Sequence, residues 1–248
     1  MNFLRYPLRT LVLTVTALLM LHCTDEQQAL GLQAEQQYVN LLHAVHFQQP
    51  KASVAAVRDF DLTIRQLRQQ WYRPMTTDAV DRVLYHIDMA ECAYEDARNS
   101  IEDGDLVLAA VQLDRAVYEL SVGDPASFNE LYVASIYDFV ASWLAVDYMI
   151  SHTDELFDWE EIEDCGLDAR EVWQDVKHIQ PSAQFYPGIK SDPLPFRAAH
   201  DRLTKELQAF RRDAGERSPA QVKIRVERVS EALWDLLFLF GPDEEFRI

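Results

Sequence analysis

The chain has 248 residues, 48 % of them apolar, with only seven glycines and 41 acidic against 23 basic side chains, a net charge of −18. That apolar share is ample for a packed core and excludes wholesale disorder. The excess of negative charge repels phosphate backbones and argues against nucleic-acid binding, leaving a cation, a basic partner, a salty milieu or, more commonly, solvation alone as its use.

Residues 1–23 read MNFLRYPLRTLVLTVTALLMLHC. Arg5 and Arg9 make a positive start, Leu11 to Leu21 an apolar run, and Asp25 and Glu26 open a polar segment after Cys23. This is the layout of an export signal, and the run is short for a membrane span. The placement of Cys23 resembles a bacterial lipoprotein signal, although His22 stands where that signal carries a small residue. The resemblance implies cleavage after residue 22, a lipid on Cys23, and a protein held at the membrane of the cell envelope, periplasmic or outer-membrane-associated. An uncleaved N-terminal anchor is the alternative. With 1–22 set aside, 23–248 reads as one helical domain.

From Glu26 to Phe47, apolar residues recur at Leu30, Ala34, Tyr38, Leu41, Leu42 and Val45, which is helical spacing, and Pro50 marks an end. A second helix is expected from about Ala52 to Tyr72, with Val54, Val57, Ile64 and Leu67 on its apolar side and Arg73-Pro74 as the stop. Thr77 caps a third, carrying Val80, Val83, Leu84, Ile87, Tyr94, Ala97 and Ile101. Gly104-Asp105 turns the chain into a fourth, Leu106 to Ser121, that buries Ala109, Leu113, Ala116, Val117 and Leu120. Asp124-Pro125 opens the most apolar stretch, residues 128–150.

That stretch holds only Asp138 and Asp147 as charges beyond Leu131. A helix apolar on nearly every side must be surrounded by helices or by lipid. Each aspartate would cost about 2.5–3.5 kcal/mol at the centre of a membrane span, which favours a protein surround. Ser135, Asp138, Ser142 and Ala145 share one face and form a small polar groove for Asp138, with Asp147 reaching water at a rim. The expected fold is therefore all-α: antiparallel helical hairpins around a buried central helix.

Beyond Ile150 an acidic run from Asp154 to Asp164 is followed by the pattern Asp168-x-x-Glu171, which opens a short helix through Val172, Trp173 and Val176. Residues 178–196 carry four prolines and three aromatics and read as an irregular loop, the kind of segment that forms lids, binding loops or linkers. Helices resume through Leu203, Leu207 and Phe210, and after Ser218-Pro219 through Val222, Val226, Val229, Leu233, Leu236 and Leu237. The hairpins 79–122 and 197–240 align at an offset of 116, Tyr94 matching Phe210 and Tyr118 matching Trp234, as a duplication or as two chance amphipathic pairs would.

Chemical motifs are sparse. The sequence has no G-x-S-x-G, S-x-x-K, glycine-rich phosphate loop, H-E-x-x-H or C-x-x-C, and no residue is assigned a catalytic role. Cys92 and Cys165 could form one disulfide in an oxidising compartment, Cys92 facing outward or toward another segment and Cys165 in a turn at Glu163–Gly166. His43 and His46 lie one turn apart, close enough to share a metal, but with no cysteine or third histidine near in sequence solvated helix-face histidines are the preferred account. Trp71-Tyr72 and Phe185-Tyr186-Pro187 place aromatics at helix ends or in a loop, as a recognition surface or as caps on the core.

His152-x-x-Glu155 resembles the H-x-x-E motif of imelysin-like periplasmic proteins, with Ile150 where that motif has a glycine. The resemblance implies a helical fold and a divalent-metal or iron site at His152 and Glu155, with Asp154 or Asp158 adding oxygens. Without it, His152 is a histidine placed favourably at a helix C-terminus. The sequence thus points to a non-enzymatic, lipid-anchored envelope protein that binds or scaffolds an unknown protein partner and carries no cofactor. A metal-binding bundle is the alternative, and an enzyme using scattered carboxylates a third.

Overall fold

In a computed structural model, residues 28–71, 77–123, 131–151 and 158–241 are described. They form ten helices and no strand, the all-α bundle expected. These are α1 (28–46), α2 (Pro50–Trp71), α3 (Thr77–Asp103), α4 (Leu106–Gly123), α5 (Tyr132–Ser135), α6 (Tyr137–Ser151), α7 (Trp159–Val176), α8 (Pro187–Ser191), α9 (Leu194–Gly215) and α10 (Pro219–Leu237). The Asp124-Pro125 start and the Arg73-Pro74 stop lie outside the described residues.

The turns follow from backbone chemistry. Gly104 takes the left-handed conformation (φ 82°), so the Asp105 N–H reaches back to the Ser100 carbonyl at 2.8 Å and closes α3. Asp105 then accepts from the Leu108 N–H at 3.0 Å and caps α4. α1 ends by the same device built on Gln48 (φ 52°), with Gln49 N–H on the Ala44 carbonyl at 2.8 Å. Pro50 therefore opens α2 rather than closing α1, in the first-turn position where its missing N–H costs nothing. In α2 the core side is Val57, Phe60, Ile64 and Leu67; Val54 is half exposed, contrary to expectation.

The central helix is broken once, at Ile136 (φ −107°, ψ 8°), into α5 and α6. The Ser135 hydroxyl donates to the Tyr132 carbonyl at 2.6 Å just before the break, a local bond that competes with helix continuation. Phe139, Val140, Trp143, Val146 and Ile150 of α6 are wholly buried. Trp143 sets its ring edge-on against Phe210 at 5.2 Å and donates its indole N–H to Ser230 at 3.0 Å. The two aspartates exchange their expected roles. Asp138 and Ala145 face solvent, so the small polar stripe is the outer side of the helix, whereas Asp147 is tucked beside His46.

α7 begins earlier than its internal pattern suggests. Asp158 accepts from the N–H groups of Glu160 (3.1 Å) and Glu161 (3.2 Å), and those two acids complement the helix dipole. The turn expected at Glu163–Gly166 is helix, and Asp168 sits inside it. Gly166 is there for closeness rather than for bending: a Cβ on it would lie 2.3 Å from Cε1 of Phe210 on α9. The Pro-rich stretch is short helix and fastened loop rather than a free lid, because Tyr186 within it is buried and bonded into the core. Both hairpins, α3–α4 and α9–α10, exist, but Tyr118 is 49 % exposed where its aligned partner Trp234 is 4 %.

Contacts from α1 reach both halves of the bundle. Gln33 bonds Thr63 on α2, Tyr38 bonds Asp114 on α4, Glu35 bonds α5, and His43 packs on Trp234 of α10. Its apolar side is correspondingly complete: Tyr38, Val39, Leu41, Leu42 and Val45 are all buried.

Candidate functional site

Of the residues expected to carry function, Cys23, His152, Asp154 and Glu155 lie outside the described residues. Asp158 is described, and its Oδ1 caps α7. Cys92 and Cys165 are free thiols, not a disulfide: Cys92 is exposed on α3 and Cys165 half-buried in α7, where burial and then Glu161, Asp168 and Asp164 push its thiol upward. Among the described residues no three His, Cys, Asp or Glu side chains gather as a metal site would require, and no helix is long and apolar enough to cross a membrane.

His43 and His46 are half-buried rather than free on a solvated helix face. They stack into an aromatic cluster with Phe47, Trp234 and Phe238, with ring centroids at 4.5 Å (His43–Phe47), 4.6 Å (His43–Phe238) and 4.8 Å (His46–Trp234). Burial lowers both imidazole pKa values; His43 is lowered further by His46, while Asp147, 3.8 Å from His46 Nε2, opposes the shift there. The pair is thus held neutral at neutral pH and serves packing.

The strongest internal chemistry lies at two carboxyls outside any sequence motif, the buried Glu35 and the half-buried Asp114. Glu35 lies three and seven residues before Tyr38 and Leu42, on the core stripe of α1, and that position was the available signal. It is 4 % exposed and accepts from the Ala134 N–H at 3.0 Å and from the Tyr186 hydroxyl. The Tyr186 oxygen in turn accepts from the Tyr132 N–H at 3.0 Å. Leu131, at the N-cap position of α5, has no capping side chain, so Glu35 and Tyr186 cap that helix from two other parts of the chain. Burial raises the Glu35 pKa to about 7, with the bonds to Tyr186 and to the Ala134 and Val133 amides opposing. Asp114 is similar: Tyr38 donates to Oδ1 at 3.2 Å, Tyr137 donates to its carbonyl oxygen, and burial raises its carboxyl to about 6.

The space beside Glu35, lined also by Tyr38, Phe60 and Tyr137, is only about 10 Å³. That is room for a single water at most, so a substrate cannot reach these groups in this conformation. Their bonds are filled by the chain itself. Tyr186, placed on sequence among candidate recognition aromatics, is consumed in the same network.

A ligand-sized opening lies instead on the outside of the α3–α4 hairpin. There, Met89, Cys92, Ala93 and Asp96 of α3 and Val111, Gln112 and Arg115 of α4 line a groove of about 460 Å³. While α4 buries Ala109, Leu113, Ala116, Val117 and Leu120 as its spacing predicts, it carries a second series, Leu108, Val111, Arg115, Tyr118 and Val122. These are spaced three, four, three and four residues apart, the seam of a helix prepared for another helix. All five are exposed, Val111 by 63 %. On α3, Tyr85 (60 % exposed), Met89, Cys92 and Asp96 follow the same rhythm. The helical spacing of α4 marks one apolar side for the core; the second stripe is legible in the same residues as an apolar repeat offset from the first.

No protein-family model matches the chain, and no curated protein or solved structure is detectably similar to it.

Proposed function

We propose that this is an exported, lipid-anchored protein of the cell envelope whose helical bundle acts by binding or scaffolding a partner rather than by catalysis. The observation that carries the binding role is the outer face of α3–α4, where a heptad-spaced apolar seam stands open beside a groove of about 460 Å³. Large apolar side chains gathered in one place on a surface mark an interaction site more often than scattered ones do. Export and anchoring rest on Arg5, Arg9, the apolar run to Leu21 and Cys23.

Placing a photo-crosslinking residue at Tyr118 or, as a control, at the exposed Gln208 of α9 tests the binding role in living cells. A discrete adduct from position 118 and none from 208 is expected. Equal, diffuse labelling from both would remove the basis for the proposal. For anchoring, Cys23→Ser is expected to abolish incorporation of a labelled fatty acid and to leave the signal uncleaved; equal labelling and processing of the two proteins would refute the lipid anchor.

A further inference from the structure

We infer that the α3–α4 face receives an amphipathic α-helix with basic flanks, supplied by another protein; this deepens the binding role just proposed and rests on it. The geometry sets the shape of the occupant. Leu108, Val111, Tyr118 and Val122 run along α4 for about 21 Å at 1.5 Å per residue, the length of a four-turn helix. Met89 and Cys92 form the opposite wall on α3, so the trough between the two helices offers a third helix the holes into which its apolar side chains fit.

Charge sets the sign of the occupant. Residues 77–123 contain eleven acidic side chains against three arginines, Arg82, Arg98 and Arg115. Arg115 lies in the groove with Asp96, which leaves the floor close to neutral and the decision to the rims. Asp81 and Glu95 are exposed on α3. A second copy of this chain would bring the same exposed acids against these, and anionic lipid headgroups would be repelled in the same way. Lysine or arginine flanking an apolar seam satisfies both demands, drawn in by the field and held by the contact.

The probe is a four-turn peptide with leucine at the seam positions and lysine beside them, titrated into the full-length protein by calorimetry. Two controls are its glutamate-flanked counterpart and a scrambled lysine peptide of the same composition. One-to-one saturable binding of the lysine peptide alone is expected. It should weaken when salt is raised from about 0.05 to about 0.5 M, because the Debye length shortens over that range. Val111→Gln with Tyr118→Gln, both at exposed positions that folding does not need, should weaken it at least about tenfold. Ile224→Gln, exposed on α10, should leave it unchanged.

Equal binding of the scrambled or the glutamate peptide, indifference to the double substitution, or no binding at all would overturn the inference. So would a concentration-dependent dimer lost in the double variant, or binding to anionic vesicles through the same residues. An adduct captured at position 118 that presents no basic helix would leave the binding role standing while removing this partner class.

Discussion

Replacing Glu35 by glutamine should change how stability depends on pH more clearly than it changes stability itself. Burial lifts the Glu35 carboxyl from 4.5 to about 7, so the folded state holds this proton more tightly than the unfolded state does. A group raised in this way favours folding fully below its unfolded pKa, and that contribution is lost as pH rises through its folded pKa. Over the whole window the loss is about 3 kcal/mol, from 1.36 kcal/mol for each unit. Between about pH 5.5 and about pH 8, clear of the isoelectric point, roughly 2 kcal/mol of it falls. Other acids contribute to the raw profile, so the quantity to read is the difference between wild type and Glu35→Gln in their loss over that interval. The amide also turns an NH₂ toward Ala134 N–H or Tyr186, which shifts the whole curve; the change in slope is unaffected by that offset. Urea unfolding followed by circular dichroism at closely spaced pH values measures it. Parallel profiles would show that Glu35 is not buried and raised as described.

Gly166→Ala places a methyl where the Phe210 ring already lies, and should destabilise by about 1–3 kcal/mol against a helix-propensity gain of about 1 kcal/mol. A melting temperature at or above wild type would show that the helices do not approach so closely. Trp143→Phe removes the indole bond to Ser230 and part of the filling between α6, α9 and α10, costing about 2–4 kcal/mol in urea unfolding. A loss under about 1 kcal/mol would contradict its place in the core. Thiol titration with mass-spectrometric assignment should find Cys92 reacting well before Cys165, whose thiol is held protonated by partial burial and then by its acidic neighbours. Equal rates would place Cys165 at the surface, and a 92–165 bridge would contradict the packing outright.

The sequence by itself determined the class of the fold and most of its core, because helical periodicity is a local property written in neighbouring residues. The buried faces of α4, α9 and α10 follow their spacing, and Gly104-Asp105 closes one helix and caps the next as its chemistry requires. Tertiary structure decided whatever depended on a partner distant in the chain. Gly166 reads as a turn until Phe210 lies against it, and Tyr186 reads as a loop aromatic until Glu35, 151 residues away, accepts its hydroxyl proton. Asp138 and Asp147 are equivalent intrusions in the sequence; only the position of α1 turns the second toward His46 and leaves the first to water. The candidate site followed the same division. The apolar repeat on α4 was present in the residues, but that one stripe would be covered and the other left open required the neighbours of α4, since burial belongs to the packed assembly and not to a single helix.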